Sequence, residues 1–577
     1  MKNFFLGLVV GILVCGLVLV IIGFAVVRVA SSIGARPVSV AEGSTLVLRL
    51  EGDLPDKLPP EIPLPFLEEQ NPVTIPEVWE TFRKAAEDSR VKGIIFEPRG
   101  LEVGWGKLQE IHQGILNFKK SGKPIVTFLR GPGGLEYYLA AATDRIYLAP
   151  EDELDLKGLG VGSIFLKGSL DKLGVKADVI HAGKYKDAGD MFTRTSMTPE
   201  TSEVLNEILD QYYGNLIDTV AQGRKQQPDA VRSTIDQGPY TAKEAVDKGL
   251  VDSLGYEDQV TEDMKGRLKQ GDLKRISIKD YLKVPLATTG VNHRIALVVG
   301  EGEITRGSGN EAANDQGLTS SGFNKLLRQV ENDSSIQGVI LRVDSPGGDG
   351  AASDDILHEA KNLSRKKPMV ISMSDLAASG GYFMSLTGDP IVAYPNTLTG
   401  SIGVIFLRMN LHGLYDKVGV NEQILTRGRY ADIDSAYAPL SDDARAKIAG
   451  QIDAFYRGFV TRVAQGRKRT FDQIEPLAQG RVWLGAQAKQ NGLVDELGGL
   501  DRAIELIRQR AHFAAADRIT LVPYPGKRSV LDMLFNRTGD SAALELKLQS
   551  ILGVHLPFTA LSKGGFMKLM PYSITVR

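Results

Sequence analysis

The chain has 577 residues, more than a single hydrophobic core supports, so it folds as two or more domains. Apolar residues make up 43% and charged residues 24%, the balance of a folded protein, and with a net charge of -2 nothing points to nucleic acid as a partner. One cysteine, Cys15, excludes an intramolecular disulfide, and the seven histidines form neither an HExxH motif nor a His/Cys cluster, which argues against a zinc site.

The first element is a run of 24 uncharged, mostly apolar residues from Phe4 to Val27. As a helix it would span roughly 36 Å, enough to cross a hydrocarbon core of about 30 Å. It is too long for the apolar region of a cleaved signal peptide, so residues 1–28 read as a single uncleaved membrane anchor. Lys2 lies on one side of the run, Arg28 and Arg36 on the other, so charge does not decide the orientation. The Pro-rich stretch "LPDKLPPEIPLPFLEEQNP" (54–72) reads as an extended surface arm.

Beyond it the chain is written twice. "DKLGV" at 171–175 returns as "DKVGV" at 416–420, an offset of 416 − 171 = 245. The same offset aligns "KGIIF" (92–96) with "QGVIL" (337–341) and "AGKYKD" (182–187) with "RGRYAD" (427–432). Farther on, "VAQGRK" (220–225) recurs at 463–468 and "GLVDSLG" (249–255) as "GLVDELG" (492–498). Matches in this order indicate tandem domains over 40–285 and 290–515. In each, short β-branched runs such as "GVILRV" (338–343) and "PMVISM" (368–373) alternate with helical patterns such as "SDDILHEAKNLSRK" (353–366). That alternation implies βαβ units and an α/β fold with a largely parallel sheet. The link at about 256–292 is charged and weakly patterned, "EITRGSGNEAANDQGLTSSG" (303–322) reads as a loop, and residues 516–577 form an unassigned tail.

The mismatches between copies carry the chemistry. Ser379, in "SDLAASGGYFMS", faces Gly134 of the first copy, and Lys186, in "GKYKDAGDMF", faces Ala431 of the second. A nucleophile kept in one half and a base kept in the other suggest one active site assembled from both. A neutral lysine can take a serine proton. Lowering its pKa from about 10.4 to about 7 costs about 4.6 kcal/mol, which demands burial. Gly380, directly after the serine, can offer a backbone N–H to an oxyanion, and "VDSPGGDG" (343–350) can offer a second from Gly348 or Gly347. The first copy has "PRGLEVGW" there and lacks the paired glycines.

With "VDSPGG", "LAASGGYFMS", "TLTGSIGV" and "GKYKD" in this order, the chain resembles the long, two-domain signal peptide peptidases, or protease IV family, of bacterial inner membranes. The resemblance implies two tandem Clp-protease/crotonase-like domains behind a single transmembrane helix, with Ser379 as nucleophile and Lys186 as base. It makes Lys184 the second choice. It implies peptide substrates, chiefly cleaved signal peptides, no cofactor or metal, a homotetramer, and a soluble portion on the periplasmic side. Asp344, where the family usually has asparagine, and Asp187 beside the lysine depart from the family pattern. The rival readings are an acyl-CoA enzyme of the same fold, which leaves the anchor and the split Ser/Lys pair unexplained, and a catalytically degenerate, membrane-anchored scaffold.

Overall fold

The structure is a computed structural model, described here for residues 38–57, 72–285, 291–307, 318–526 and 565–570. The apolar run at 4–27 lies outside these residues, and among the described ones no helix is long and apolar enough to cross a membrane.

In the first half, β1 (Ser44–Gly52) turns Leu46, Leu48 and Leu50 into the core. Helix α1 (Ile75–Glu87) starts at Thr74, whose hydroxyl caps the Glu77 N–H while Glu77 caps Thr74 in return. Then follow β2 (Val91–Leu101), α2 (Trp105–Lys119), β3 (Ile125–Leu129), α3 (Gly134–Ala140), β4 (Arg145–Leu148), β5 (Lys176–Ala182) and the long α4 (Pro199–Arg224). The sheet is wholly parallel, in the order Ser253–Leu254, β4, β3, β2, β1, Arg275–Ser277. Its closing strand corrects the reading of 256–292 as a link. The segment holds helices Glu257–Leu268 and Ile278–Lys283, and the first buries only Val260 and Met264, too little apolar surface to make a visible period.

The second half repeats the plan with β6 (Asn292–Glu301), β7 (Gly338–Ser345), β8 (Gly347–Asp349), α5 (Gly350–Lys366), β9 (Met369–Ala378), α6 (Gly380–Met384), β10 (Val404–Asn410) and α7 (Asp442–Gly466). After them come β11 (Arg518–Tyr524) and β12 (Gly565–Leu569). The main sheet path runs Val482–Leu484, Leu398–Gly400, β9, β7, β6, β11. The second unit therefore extends past residue 515. The expected tail supplies β11 at the sheet edge and β12 in a third sheet.

That third sheet belongs to both halves, in the order Leu318–Thr319, Ile304–Thr305, β8, β12, β10, β5. β5 lies antiparallel to β10, Val404 opposite Ala182 through Asn410 opposite Lys176. The halves also share their cores. Ala378, Leu398, Val482 and Leu484 join the first half's apolar cluster, and the Trp79 indole donates to Asp501 across the boundary at 2.6 Å.

A charged cluster lies at the same boundary. Arg342, fully buried on β7, donates to Asp56 (2.9 Å), Glu110 (2.5 Å), Ser372 (3.0 Å) and Ser374 (2.9 Å). Asp56 belongs to the stretch read as a surface arm, yet it is buried, as is Leu54, because a buried guanidinium requires carboxylate partners. The Lys107 ammonium sits 2.8 Å from Asp344, 3.6 Å from Glu301 and 3.7 Å from Asp56. Burial, reinforced by the neighbouring carboxylates and opposed by Lys107, pushes the Glu301 carboxyl up to about 7. A carboxyl raised in the folded state stabilises below its unfolded value and loses that contribution as pH rises through its folded value. The full-length protein in detergent should therefore lose thermal stability between about pH 4.5 and pH 7 and level off above that, and Glu301→Gln should flatten the fall, by on the order of 2 kcal/mol at about pH 7. Parallel melting-temperature profiles for the two proteins would contradict this.

Candidate functional site

The main sheet of the second half ends its parallel strands β7 and β9 on one side, where such sheets present their ligand crevice. At the end of β9 the small residues Ala377 and Ala378 lead into Ser379, whose φ of 54° turns the chain sharply into α6. A non-glycine residue tolerates that conformation only when its surroundings impose it. Here the Ser379 N–H donates to the Gly400 carbonyl (2.8 Å) while its own carbonyl accepts from Phe383 N–H (2.8 Å). The glycines after it are required by space. A Cβ on Gly380 would lie 2.6 Å from Ser353 Oγ and 3.0 Å from Gly347 Cα, and one on Gly381 would lie 2.6 Å from the Ser345 carbonyl oxygen. The "SPGG" and "ASGG" turns thus touch backbone to backbone. Gly347 (φ 97°) and Gly348 (φ 150°) adopt conformations that favour glycine, and the Gly347 N–H donates to Ser345 Oγ at 3.2 Å.

Lys186 arrives from the first half, four residues beyond β5. Its turn is fixed by second-half backbone. The Tyr185 N–H donates to the Gln479 carbonyl (2.8 Å), and Gly480 and Gly403 press on the lysine so closely that a Cβ on them would stand 2.6 Å from Lys186 Cβ and 3.0 Å from its Cδ. Lys186 and Ser379 are both fully buried, and Lys186 Nζ stands 3.0 Å from Ser379 Oγ within one chain. The same nitrogen reaches the Ser401 carbonyl at 3.0 Å and the Ser401 hydroxyl at 2.9 Å. Lys184, the second choice, is exposed, with its ammonium over the Tyr185 ring.

Ser401 was not singled out from the sequence. Its counterpart at the 245 offset is Leu156 (401 − 156 = 245), so the copy-specific mismatch that marks Ser379 and Lys186 marks it too. The two departures from the family pattern find partners. Asp344 pairs with Lys107 and accepts the Leu376 N–H at 3.0 Å. Asp187 accepts the Thr201 hydroxyl and is pushed up to about 6 by burial. One carboxylate trio among the described residues, Asp56, Glu301 and Asp344, converges within 4.8 Å, and the Lys107 ammonium lies among them.

Residues 117–271 and 361–514 each match the profile of peptidase family S49. The chain belongs to peptidase family S49. Relatives span most of its length. The chloroplastic serine protease SPPA of Arabidopsis thaliana is 36% identical over 509 residues, 87% of this chain and 74% of the relative. Protease 4 of Haemophilus influenzae is 32% identical over 530 residues, 86% of this chain and 85% of its own. Protease 4 of Salmonella typhi is 33% identical over 484 residues, covering 81% and 76%. Membership in S49 makes this a serine-type peptidase with two family domains in tandem.

Because Ser401 offers Lys186 both a carbonyl and a hydroxyl, Ser401→Ala should remove one hydrogen bond to the amine without touching Ser379. A bond of that kind contributes about 1.5–3 kcal/mol, so kcat for peptide hydrolysis should fall roughly 10- to 100-fold with KM little changed. Unchanged kcat would remove Ser401 from the site.

Proposed function

We infer that this S49 member is a membrane-anchored endopeptidase that cleaves signal peptides, with Ser379 as nucleophile and Lys186 as general base. The observation that carries the reading is the 3.0 Å approach of Lys186 Nζ to Ser379 Oγ, both residues being fully buried. A neutral amine has two N–H donors and one lone pair. The Ser401 carbonyl can only accept, so it takes one N–H. With the other N–H given to the Ser401 hydroxyl, the lone pair faces the Ser379 O–H.

On this reading Lys186 takes the Ser379 proton as Oγ attacks the scissile carbonyl, and the protonated amine then delivers it to the leaving nitrogen. Water activated by the same lysine releases the acyl group. The Gly380 N–H, at the start of α6, serves the oxyanion together with Gly348, whose nitrogen would lie 3.2 Å from a Gly380 Cβ. The Gly347 N–H is already engaged by Ser345. The domains have a Clp-protease/crotonase-like fold, and the chain assembles as a homotetramer. The apolar run at 4–27 holds the site beside the bilayer on the periplasmic side of a bacterial inner membrane, where cleaved signal peptides remain.

β12 supports an extended binding mode. It lies antiparallel to β8, Gly348 opposite Lys568, on one side and to β10 on the other, and the Met570 N–H donates to the Pro346 carbonyl at 2.8 Å. A peptide entering as an added strand takes the same ladder. Removing residues 527–577 should therefore raise kcat/KM for short apolar peptides, roughly 3- to 10-fold, by freeing that edge. Lower activity at normal fold content would mean the tail builds the site instead.

The deciding assay measures cleavage of a fluorogenic signal-peptide fragment. Ser379→Ala and Lys186→Ala should each lose at least about 1,000-fold in kcat, while Lys184→Ala stays within about twofold of wild type. Turnover indifferent to Ser379 would end the mechanism and favour the scaffold reading.

A further inference from the structure

The turn at 478–481 seats the base. Gln479 (φ 54°) and Gly480 (φ 77°) lie against the chain at 183–186, and the Arg481 N–H closes the turn on the Ala478 carbonyl at 3.0 Å. The Arg481 carbonyl in turn accepts the Ser401 N–H at 2.7 Å. Ser401 has a φ of 49°, a conformation that surrounding contacts must hold, and it is the residue that offers Lys186 both a carbonyl and a hydroxyl. The backbone of Arg481 therefore reaches the amine through one intermediary.

Its side chain reaches the amine from the other direction. The guanidinium lies 4.9 Å over the Tyr185 ring and 4.6 Å over the Trp483 ring. It donates to Glu203 at 2.7 Å and to both carboxylate oxygens of Glu207 at 2.7 and 2.8 Å. Glu203 and Glu207 stand one turn apart on α4, a first-half helix. Tyr185, the residue before the base, donates its hydroxyl to Glu203 at 3.4 Å. Asp187, the residue after it, accepts the hydroxyl of Thr201 in the first turn of the same helix. Lys186 thus lies between two neighbours that both rest on α4, and Arg481 fastens α4 to the turn against which the lysine packs.

Exposed ion pairs contribute only about 0–1 kcal/mol, but the Arg481 side chain is 10% exposed and the cluster is specific to one copy on each side. Helices α4 and α7 are capped by Thr198 and Ser441, an offset of 441 − 198 = 243, which sets Ala446 opposite Glu203 and Gly450 opposite Glu207. Strand pairs Leu154–Tyr240 and Thr399–Trp483 carry the same offset to Arg481, whose counterpart is Gly238. The arginine is kept in one half and both glutamates in the other, as Ser379 and Lys186 are. A cluster serving the fold of each half would be expected in both.

We propose that Arg481 is a positioning residue for the base, its fork to Glu203 and Glu207 keeping Tyr185 and the 478–481 turn in the relation that points the Lys186 amine at Ser379. This role presupposes that Ser379 and Lys186 are the catalytic pair. Lysine at 481 would keep the charge but lose the planar fork and the stacking on two rings.

The test uses the full-length enzyme in detergent and a fluorogenic signal-peptide fragment, with turnover expressed per active site titrated by a serine-directed fluorophosphonate. Glu203→Gln/Glu207→Gln leaves the arginine in place and removes its anchors, and Arg481→Lys removes the fork. Each should lower kcat roughly 10- to 100-fold, the effect of displacing a catalytic group by about 1 Å. KM should stay within about twofold and circular dichroism should not change. The rate constant for fluorophosphonate labelling should fall by the same factor, because it needs an activated Ser379 and no peptide recognition. With Ser379→Ala inactive, kcat and labelling within about twofold of wild type in the double variant would overturn the positioning role alone. So would a loss of titratable sites with normal kcat at those remaining, which marks a folding role, or a lower kcat with unchanged labelling. Turnover that survives Ser379→Ala would overturn the catalytic pair and the positioning role with it.

Discussion

The antiparallel ladder between β5 and β10 is the interaction on which the rest depends. It takes a strand from the first half and registers it, residue by residue, on a strand of the second, and the turn leaving β5 then has one path open to it. Along that path Gly183 meets Gln479, Gly480 meets Lys186, and the amine ends beside Ser379 and Ser401. A slip of one residue would turn every β5 side chain to the opposite face and carry Lys186 away with it. The buried cluster around Arg342 ties the halves together a second time, joining Asp56 and Glu110 of the first half to β7 in the main sheet.

The two halves use similar backbones for different ends. Parallel sheets in each bury β-branched strands on both faces, which gives rigid strand ends at Ser345 and Ala378. The strain at Ser379 is held by this frame, through the Gly400 carbonyl and the first turn of α6. In the first half the same positions carry Gly134 and Leu156, and nothing there calls for a buried amine.

Much of this was legible in the sequence because duplication supplies its own control. Ser379 and Lys186 stood out as complementary losses, and the structure sets them 3.0 Å apart. Ser401 carries the same mark, but only the fold, which sets it against Lys186, gives it a partner. The link at 256–292 was misread because Glu257–Leu268 buries two side chains only, and amphipathic pattern is the signal on which helix recognition rests. Asp56 was assigned to the surface from its prolines. Its burial depends on Arg342, 286 residues away, and no local pattern reports such a partner. β12 belongs to a sheet whose other members lie far away in the chain, so its role was equally invisible.

The shared sheet also sets a timetable. Ribosomes make the first half first, and it can complete its own parallel sheet while the rest is still being synthesised. The seat of Lys186 waits for Gly403, Gln479 and Gly480, the first 403 − 186 = 217 residues later and the last 480 − 186 = 294. Until then the lysine has no serine to meet, and the half-made chain is unarmed.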